Sequence, residues 1–265
     1  MLKKFATKSA RLAELYEQVS SSLDSVPPYG LGYPSKTTQS SYYPGNGITE
    51  EDIAKVSGIL EKHSIFPENT RIRKADNGTD FEVLLASTGR GTALELTLPE
   101  DGRSVSLVHG DHSEDLQRIC AELSQACKFA ANDFQRGFLE AYIQSFQTGS
   151  LDKYRDSLRY WIKDKGPRVE NIFGFVEPYR DPYGIRAEFE GMVAIADVDE
   201  TKLLAKVVDN SAKFIRRLPW ASPENDGKGP FEKNLFEPPD FSSIHCEWNA
   251  SNDMESSTLG GLTFS

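Results

Sequence analysis

The chain is expected to fold as an α+β protein, with a small antiparallel β-sheet or partial barrel and packed helices. Two observations carry this. Runs of period-two alternation and runs of helical period occupy separate blocks rather than interleaving as βαβ units, and no internal repeat is present. At 265 residues, with 38% hydrophobic and 26% charged content, the chain is also long enough and apolar enough to bury a core.

In order, residues 1–24 read as an N-terminal helix. MLKKFATKSARLAEL is basic and amphipathic, and Leu2, Phe5, Leu12, Leu15, Tyr16 and Val19 form one broad face. An ordinary helix accounts for it better than a mitochondrial-type leader. Residues 25–48 are rich in Pro, Gly, Ser and Tyr, which interrupt any helical period, so they are a connector. Thr49-Glu-Glu-Asp52 approximates a capping box and opens a helix with Ile53, Val56, Ile59 and Leu60 as its buried stripe. The runs TRIRK, DFEVLLAS, ALELTLP and RSVSLVH follow, punctuated by Asn-Gly, Gly-Arg-Gly and Asp-Gly turns, and read as the antiparallel sheet.

From Ser113 a helical period is sustained as far as Gly149. Ser150 caps a further helix that Gly166-Pro167 terminates. Two strands around a turn come next, and a last helix, about Asp199 to Arg217, is expected to bury Leu203, Leu204, Val207, Val208, Phe214 and Ile215. The α+β lobe thus spans 49–220. Residues 221–265 have no convincing period and read as an irregular tail.

A net charge of −10 argues against nucleic acid as a partner, and no run is long enough to cross a membrane. Cys120, Cys127 and Cys246 are odd in number and lack metal spacing, so a reducing, cytoplasmic setting without a disulfide framework is expected, with Cys120 and Cys127 as free buried thiols. His109-Gly-Asp-His112 presents a metal pair at a strand-to-helix turn, where a polar cap is the commoner explanation. No Ser or Cys nucleophile stands beside a histidine in a familiar motif.

The stretch that carries chemistry is FGFVEPYRDPYGIRAEFEGMVAIAD, residues 173–197. Asp181-Pro-Tyr-Gly184 suits a type I turn, which is not the preferred two-residue hairpin turn, so a wider loop is allowed. A symmetric loop brackets Tyr179 with Arg186 and Glu177 with Glu188. Opposed carboxylates destabilise a pair of strands unless a cation stands between them. Arg180 and Arg186 could supply it internally. Alternatively the acids form an anionic pocket for a ligand ammonium, with the Tyr179 hydroxyl available to a carbonyl. A carboxylate pair for glycoside hydrolysis has no other support in the sequence.

YWIKDKGPRVENIFGFVEPYRDPYGIRAEFEGMVAI closely resembles the dipeptidyl peptidase III family, zinc-dependent exopeptidases that release dipeptides from the N-terminus of short peptides. The likeness extends through AANDFQRGFLEAYIQSFQTGSLDKYRDSLRYW, LPW and PPDFSSI, and more weakly SSYYPGNGITEEDI, covering most of 40–244. The resemblance implies that Glu177 holds the free α-ammonium of the peptide. It implies that Tyr179 hydrogen-bonds the peptide near the scissile carbonyl and helps stabilise the transition state. Glu188 and Glu190 are assigned to field or structure, through arginines.

The family's zinc motif, H-E-x-x-x-G-H, which carries two ligands and the general base, is absent, as is the stretch of substrate-binding asparagines after PDFSSI. The resemblance therefore implies part of the lower, β-containing lobe of a larger two-lobed peptidase. Such a portion binds no zinc itself and is inactive without the missing upper lobe. The alternative is a non-catalytic peptide-binding or vestigial product.

Overall fold

The computed structural model describes residues 8–23, 32–34, 40–45, 47–89, 91–222, 224 and 243–249. Leu2 and Phe5, most of the 25–48 connector, Arg90 and most of the 221–265 tail lie outside the described residues. The chain divides into two compact units, one of residues 1–161 and 175–189, the other of 162–174 and 190–265.

The first unit opens with α1 (Ala10–Leu23), whose Leu12, Leu15, Val19 and Leu23 are exposed. Helix α2 (Glu50–Lys62) begins at the expected capping box. The Thr49 hydroxyl accepts from the Asp52 amide and the Asp52 carboxylate accepts from the Thr49 amide, both at 3.2 Å. Its stripe of Ile53, Val56, Ile59 and Leu60 is buried. With Tyr42, Tyr43, Ile72, Phe81, Val83, Leu96, Leu98 and Val105 these residues form the main core.

Four strands supply the sheet side of that core: β1 (Thr70–Lys74), β2 (Phe81–Ala86), β3 (Leu94–Thr97) and β4 (Ser104–Asp111), in the order β1-β2-β4-β3. The α+β class holds, but the sheet is mixed rather than wholly antiparallel. β1–β2 and β3–β4 are antiparallel, whereas β2 and β4 run parallel, Phe81 opposite Val105. Turn residues mark where a strand ends; they do not fix which neighbour it joins. Asp52 ties α2 to this sheet through Arg103 at 2.8 Å and Lys74 at 3.4 Å.

The long helical stretch after Ser113 is broken. Helix α3 (Ser113–Ala126) passes into a 3-10 turn at Cys127–Phe129, and Asn132 starts α4 (Asp133–Thr148) by accepting from the Gln135 amide at 2.9 Å. An Asn-Asp pair ahead of the new helix was the available signal. Gly149 ends α4 at φ +78°, with Leu85 Cγ 2.7 Å from where a Cβ would sit, so a side chain there would meet both backbone strain and a clash. Helix α5 (Leu151–Trp161) follows the Ser150 cap and stops short of Gly166. Cys120 is buried and Cys127 half-buried, and neither forms a disulfide among the described residues.

In the second unit, apart from Phe175 and Phe189, which fall in the first, β5 (Val169–Phe175), β6 (Phe189–Asp197) and β7 (Ser243–Asn249) form a sheet in that order. Strand β7 falls in the stretch read as irregular; its backbone pairs antiparallel with β6, Asp197 opposite Ser243. The Asp197 carboxylate caps α6 (Val198–Asp209), accepting from the Asp199 and Glu200 amides, and a short α7 (Ser211–Ile215) follows. The expected burial of this helical face is not found: Leu203, Leu204, Val207 and Phe214 are exposed, Val208 and Ile215 only half-buried. An amphipathic period identifies a face without supplying its cover.

Thr49→Ala is expected to lower unfolding free energy by about 1 kcal/mol and Ile53→Ala by about 2–5 kcal/mol, measured by urea denaturation. Equal losses for the two would contradict the division between a helix cap and a core position.

Candidate functional site

The strands expected around the turn end early. β5 stops at Phe175 and β6 starts at Phe189, so Glu177, Tyr179 and Glu188 lie in the irregular segment 176–188 and only Glu190 is within a strand. Pro178 and Pro182 lack amide protons and cannot donate to a ladder, which is the sequence signal for this wider loop. At its base Phe175 and Phe189 meet edge-to-face, centroids 5.3 Å apart, and Phe146 of α4 packs on Phe189 at 5.9 Å.

The expected turn is present. The Gly184 amide donates to the Asp181 carbonyl at 2.9 Å, and Gly184 has φ +81°, which glycine adopts without cost. The Asp181 carboxylate folds back into the loop. Its Oδ1 accepts from the Tyr183 amide at 3.1 Å, and its Oδ2 from Ile185 and Arg186 at 3.0 and 2.8 Å. These bonds replace the missing ladder for a stretch of irregular backbone. Further back, the Ala187 amide donates to the Glu68 carbonyl at 2.8 Å.

Of the two bracketed pairs, one forms. The Glu188 amide donates to the Glu177 carbonyl at 3.2 Å, placing the two acids opposite each other. Tyr179 and Arg186 separate: the Tyr179 side is 82% exposed, while Arg186 is fully buried. The internal cation is therefore Arg180, whose Nη1 lies 3.1 Å from Glu188 Oε2. Glu177 is half-buried and forms no ion pair among the described residues. Among the described residues, Glu188 has an ion-pair partner and Glu177 does not.

Two residues missed in the sequence lie against this loop. Tyr42 and Tyr43 of the connector are buried, with ring centroids 6.5 Å apart. Burial, reinforced by the negative charge of Glu188 and Asp181 and opposed by Arg180, pushes the Tyr42 phenol up to about 12. Burial also raises Tyr43, with Arg186 opposing and Asp181 adding to the shift. Their signal was the adjacent tyrosine pair in an otherwise polar connector; nothing local in the sequence linked it to a loop so far along the chain.

Zinc is implied for the family by the resemblance. Among the described residues no group of three or more His, Cys, Asp or Glu could hold a metal ion. A Cβ on Gly91 would run into the His109 ring, whose buried Nδ1 has no hydrogen bond among the described residues. His112 makes no side-chain cap bond, correcting the polar-cap expectation, and the intervening Asp111 is held by Arg71 in a two-pronged ion pair at 2.7 and 2.5 Å. Among the described residues, no helix is long and apolar enough to cross a membrane.

The model for peptidase family M49 matches residues 15–252, running past the residue-244 limit of the motif likeness. Dipeptidyl peptidase 3 from Dictyostelium discoideum is 38% identical over 205 residues, covering 77% of this chain and 28% of that protein. Dipeptidyl peptidase 3 from Homo sapiens is 34% identical over 226 residues, covering 81% of this chain and 29% of that protein. The chain thus spans less than a third of the length of these relatives. The solved structure of DPP III from Caldithrix abyssi matches with TM-score 0.53 at 18% identity, over 86% of this chain and 38% of that one, a likeness of fold.

The raised Tyr42 phenol carries a pH signature. An unfolded tyrosine ionises near about 10, whereas the folded Tyr42 holds its proton to about 12. Its contribution to stability is complete below pH of about 10 and is lost as pH rises towards the folded value. Urea titrations from pH 8 upward should show wild type losing more stability than Tyr42→Phe above pH 10 or so; parallel curves would refute the buried, neutral phenol.

Proposed function

Because the chain belongs to peptidase family M49, we propose that it carries the part of a dipeptidyl-peptidase cleft that receives the free N-terminus of a short peptide. Glu177 holds the α-ammonium, and the Tyr179 hydroxyl hydrogen-bonds the peptide near the scissile carbonyl, stabilising charge that develops there. One observation carries the reading: Glu177 is the half-buried acid of the Glu177–Glu188 pair left without an ion-pair partner among the described residues, two residues from the exposed Tyr179. A peptide ammonium supplies the missing cation as a charge-assisted hydrogen bond in a partly dry setting.

Zinc ligands and general base belong, in this reading, to another part of the two-lobed peptidase, which must join this one for hydrolysis. Support comes from the donor set described above and from the absence of H-E-x-x-x-G-H in the sequence. Alone, the chain binds peptides without cleaving them. The proposed compartment is the cytoplasm, supported by three cysteines that suggest no disulfide framework.

Glu177→Gln removes the charge and keeps the shape. It should weaken binding of a free-N-terminus tetrapeptide roughly 10- to 100-fold, the scale of a hydrogen bond to a charged group, while its N-acetylated twin changes little. Calorimetric titration of both peptides decides this, and an equal loss for the two sinks the ammonium role. Incubated with peptide and zinc, the purified chain should release no dipeptide; zinc-dependent release by metal-analysed protein would refute inactivity alone.

A further inference from the structure

A buried polar cluster lies against the segment that carries Glu177 and Tyr179. The Tyr43 hydroxyl donates to Asp181 Oδ1 at 2.6 Å, a fourth hydrogen bond on a carboxylate that already accepts from the Tyr183, Ile185 and Arg186 amides. The same hydroxyl accepts from Arg186 Nη1 at 3.4 Å, and the Arg186 guanidinium lies 5.5 Å from the Tyr43 ring centroid. Nη1 and Nη2 both reach the Ser57 hydroxyl of α2 at 3.4 Å, while Nε has no hydrogen bond among the described residues. Tyr43 and Arg186 are fully buried and Asp181 is 5% exposed. The Tyr43 hydroxyl thus stands between a buried cation and a buried carboxylate, a donor to one and an acceptor from the other.

Buried charges of this kind are a weak source of stability, since apolar residues of equal volume often do as well. Their bonds are directional, however, and three of those on Asp181 end on the backbone of the loop itself. That arrangement fixes a conformation more than it strengthens a core. The geometry points to Tyr43 and Asp181 as positioning residues: through the 181–186 turn they hold the backbone that sets Glu177 opposite Glu188 and within reach of a peptide's amino end. Neither touches the peptide. This rests on the ammonium reading above. It gives the connector, remote in sequence from the loop, a defined part in recognition.

The test is the ratio of affinities of the 265-residue chain for a free-N-terminus tetrapeptide and its N-acetylated twin, with melting temperature recorded alongside. Tyr43→Phe deletes only the hydroxyl. Measured where the variant is fully folded, it should lower that ratio about fivefold or more, on the scale of one buried hydrogen bond. Ile59→Val, a core trim away from the loop, should lower the melting temperature and leave the ratio at its wild-type value. If Tyr43→Phe does not fold, Asp181→Asn, which keeps one acceptor oxygen, carries the same expectation. A wild-type ratio retained in the folded variant overturns the positioning role while leaving the ammonium reading intact. A wild-type chain that fails to distinguish the two peptides overturns both.

Discussion

The carboxylate of Asp181 is the constraint on which the candidate site depends. Residues 176–188 leave one strand and enter another without a ladder between them, and two of them are prolines. Irregular backbone of that kind needs acceptors for its amides if it is to hold one shape. Asp181 supplies them from inside the loop, and Tyr43 donates to the same carboxylate from the connector. Tyr183, partly buried against the main core, gives the turn its apolar anchor. The segment can therefore present acids and a phenol while its backbone is tied down.

Charge then separates two acids that the sequence makes look equivalent. Arg180 meets Glu188 at a partly exposed position, where such a pair contributes little to stability but does cancel local charge. Arg186, its apparent counterpart, is drawn below the loop instead, to Tyr43 and Ser57. Glu177 forms no ion pair among the described residues. An opposed pair of carboxylates is tolerable when only one of them needs an external cation, and an amine-bearing ligand is a natural source of it.

Local rules read well from the sequence wherever a feature closes within a few residues. The Thr49 capping box, the α2 stripe, the four strand runs of the first sheet, the αL stop at Gly149 and the Asp181 turn are all of that kind. What escaped was non-local. Alternation of side chains reports facing, not hydrogen bonding, so Glu177 and Tyr179 were drawn on a strand that ends at Phe175. The parallel β2–β4 pairing, strand β7 in a segment without periodicity, and the exposed face of α6 each depend on distant parts of the chain. The Tyr43–Asp181 bond spans 138 positions, beyond what any local pattern encodes.

The central claim is that the loop recognises a charged amine, and the peptide's own titration tests it most directly. A free α-amino group loses its proton near about 7.7–8.0. Calorimetric affinity for an unmodified tetrapeptide should stay level from pH 6 to about 7 and then fall about tenfold per pH unit once the ammonium is mostly neutral. The N-acetylated twin should show no such decline. Affinity for the free peptide that stays flat through pH of about 9 would mean that its charge is not what the loop reads, and would contradict the account.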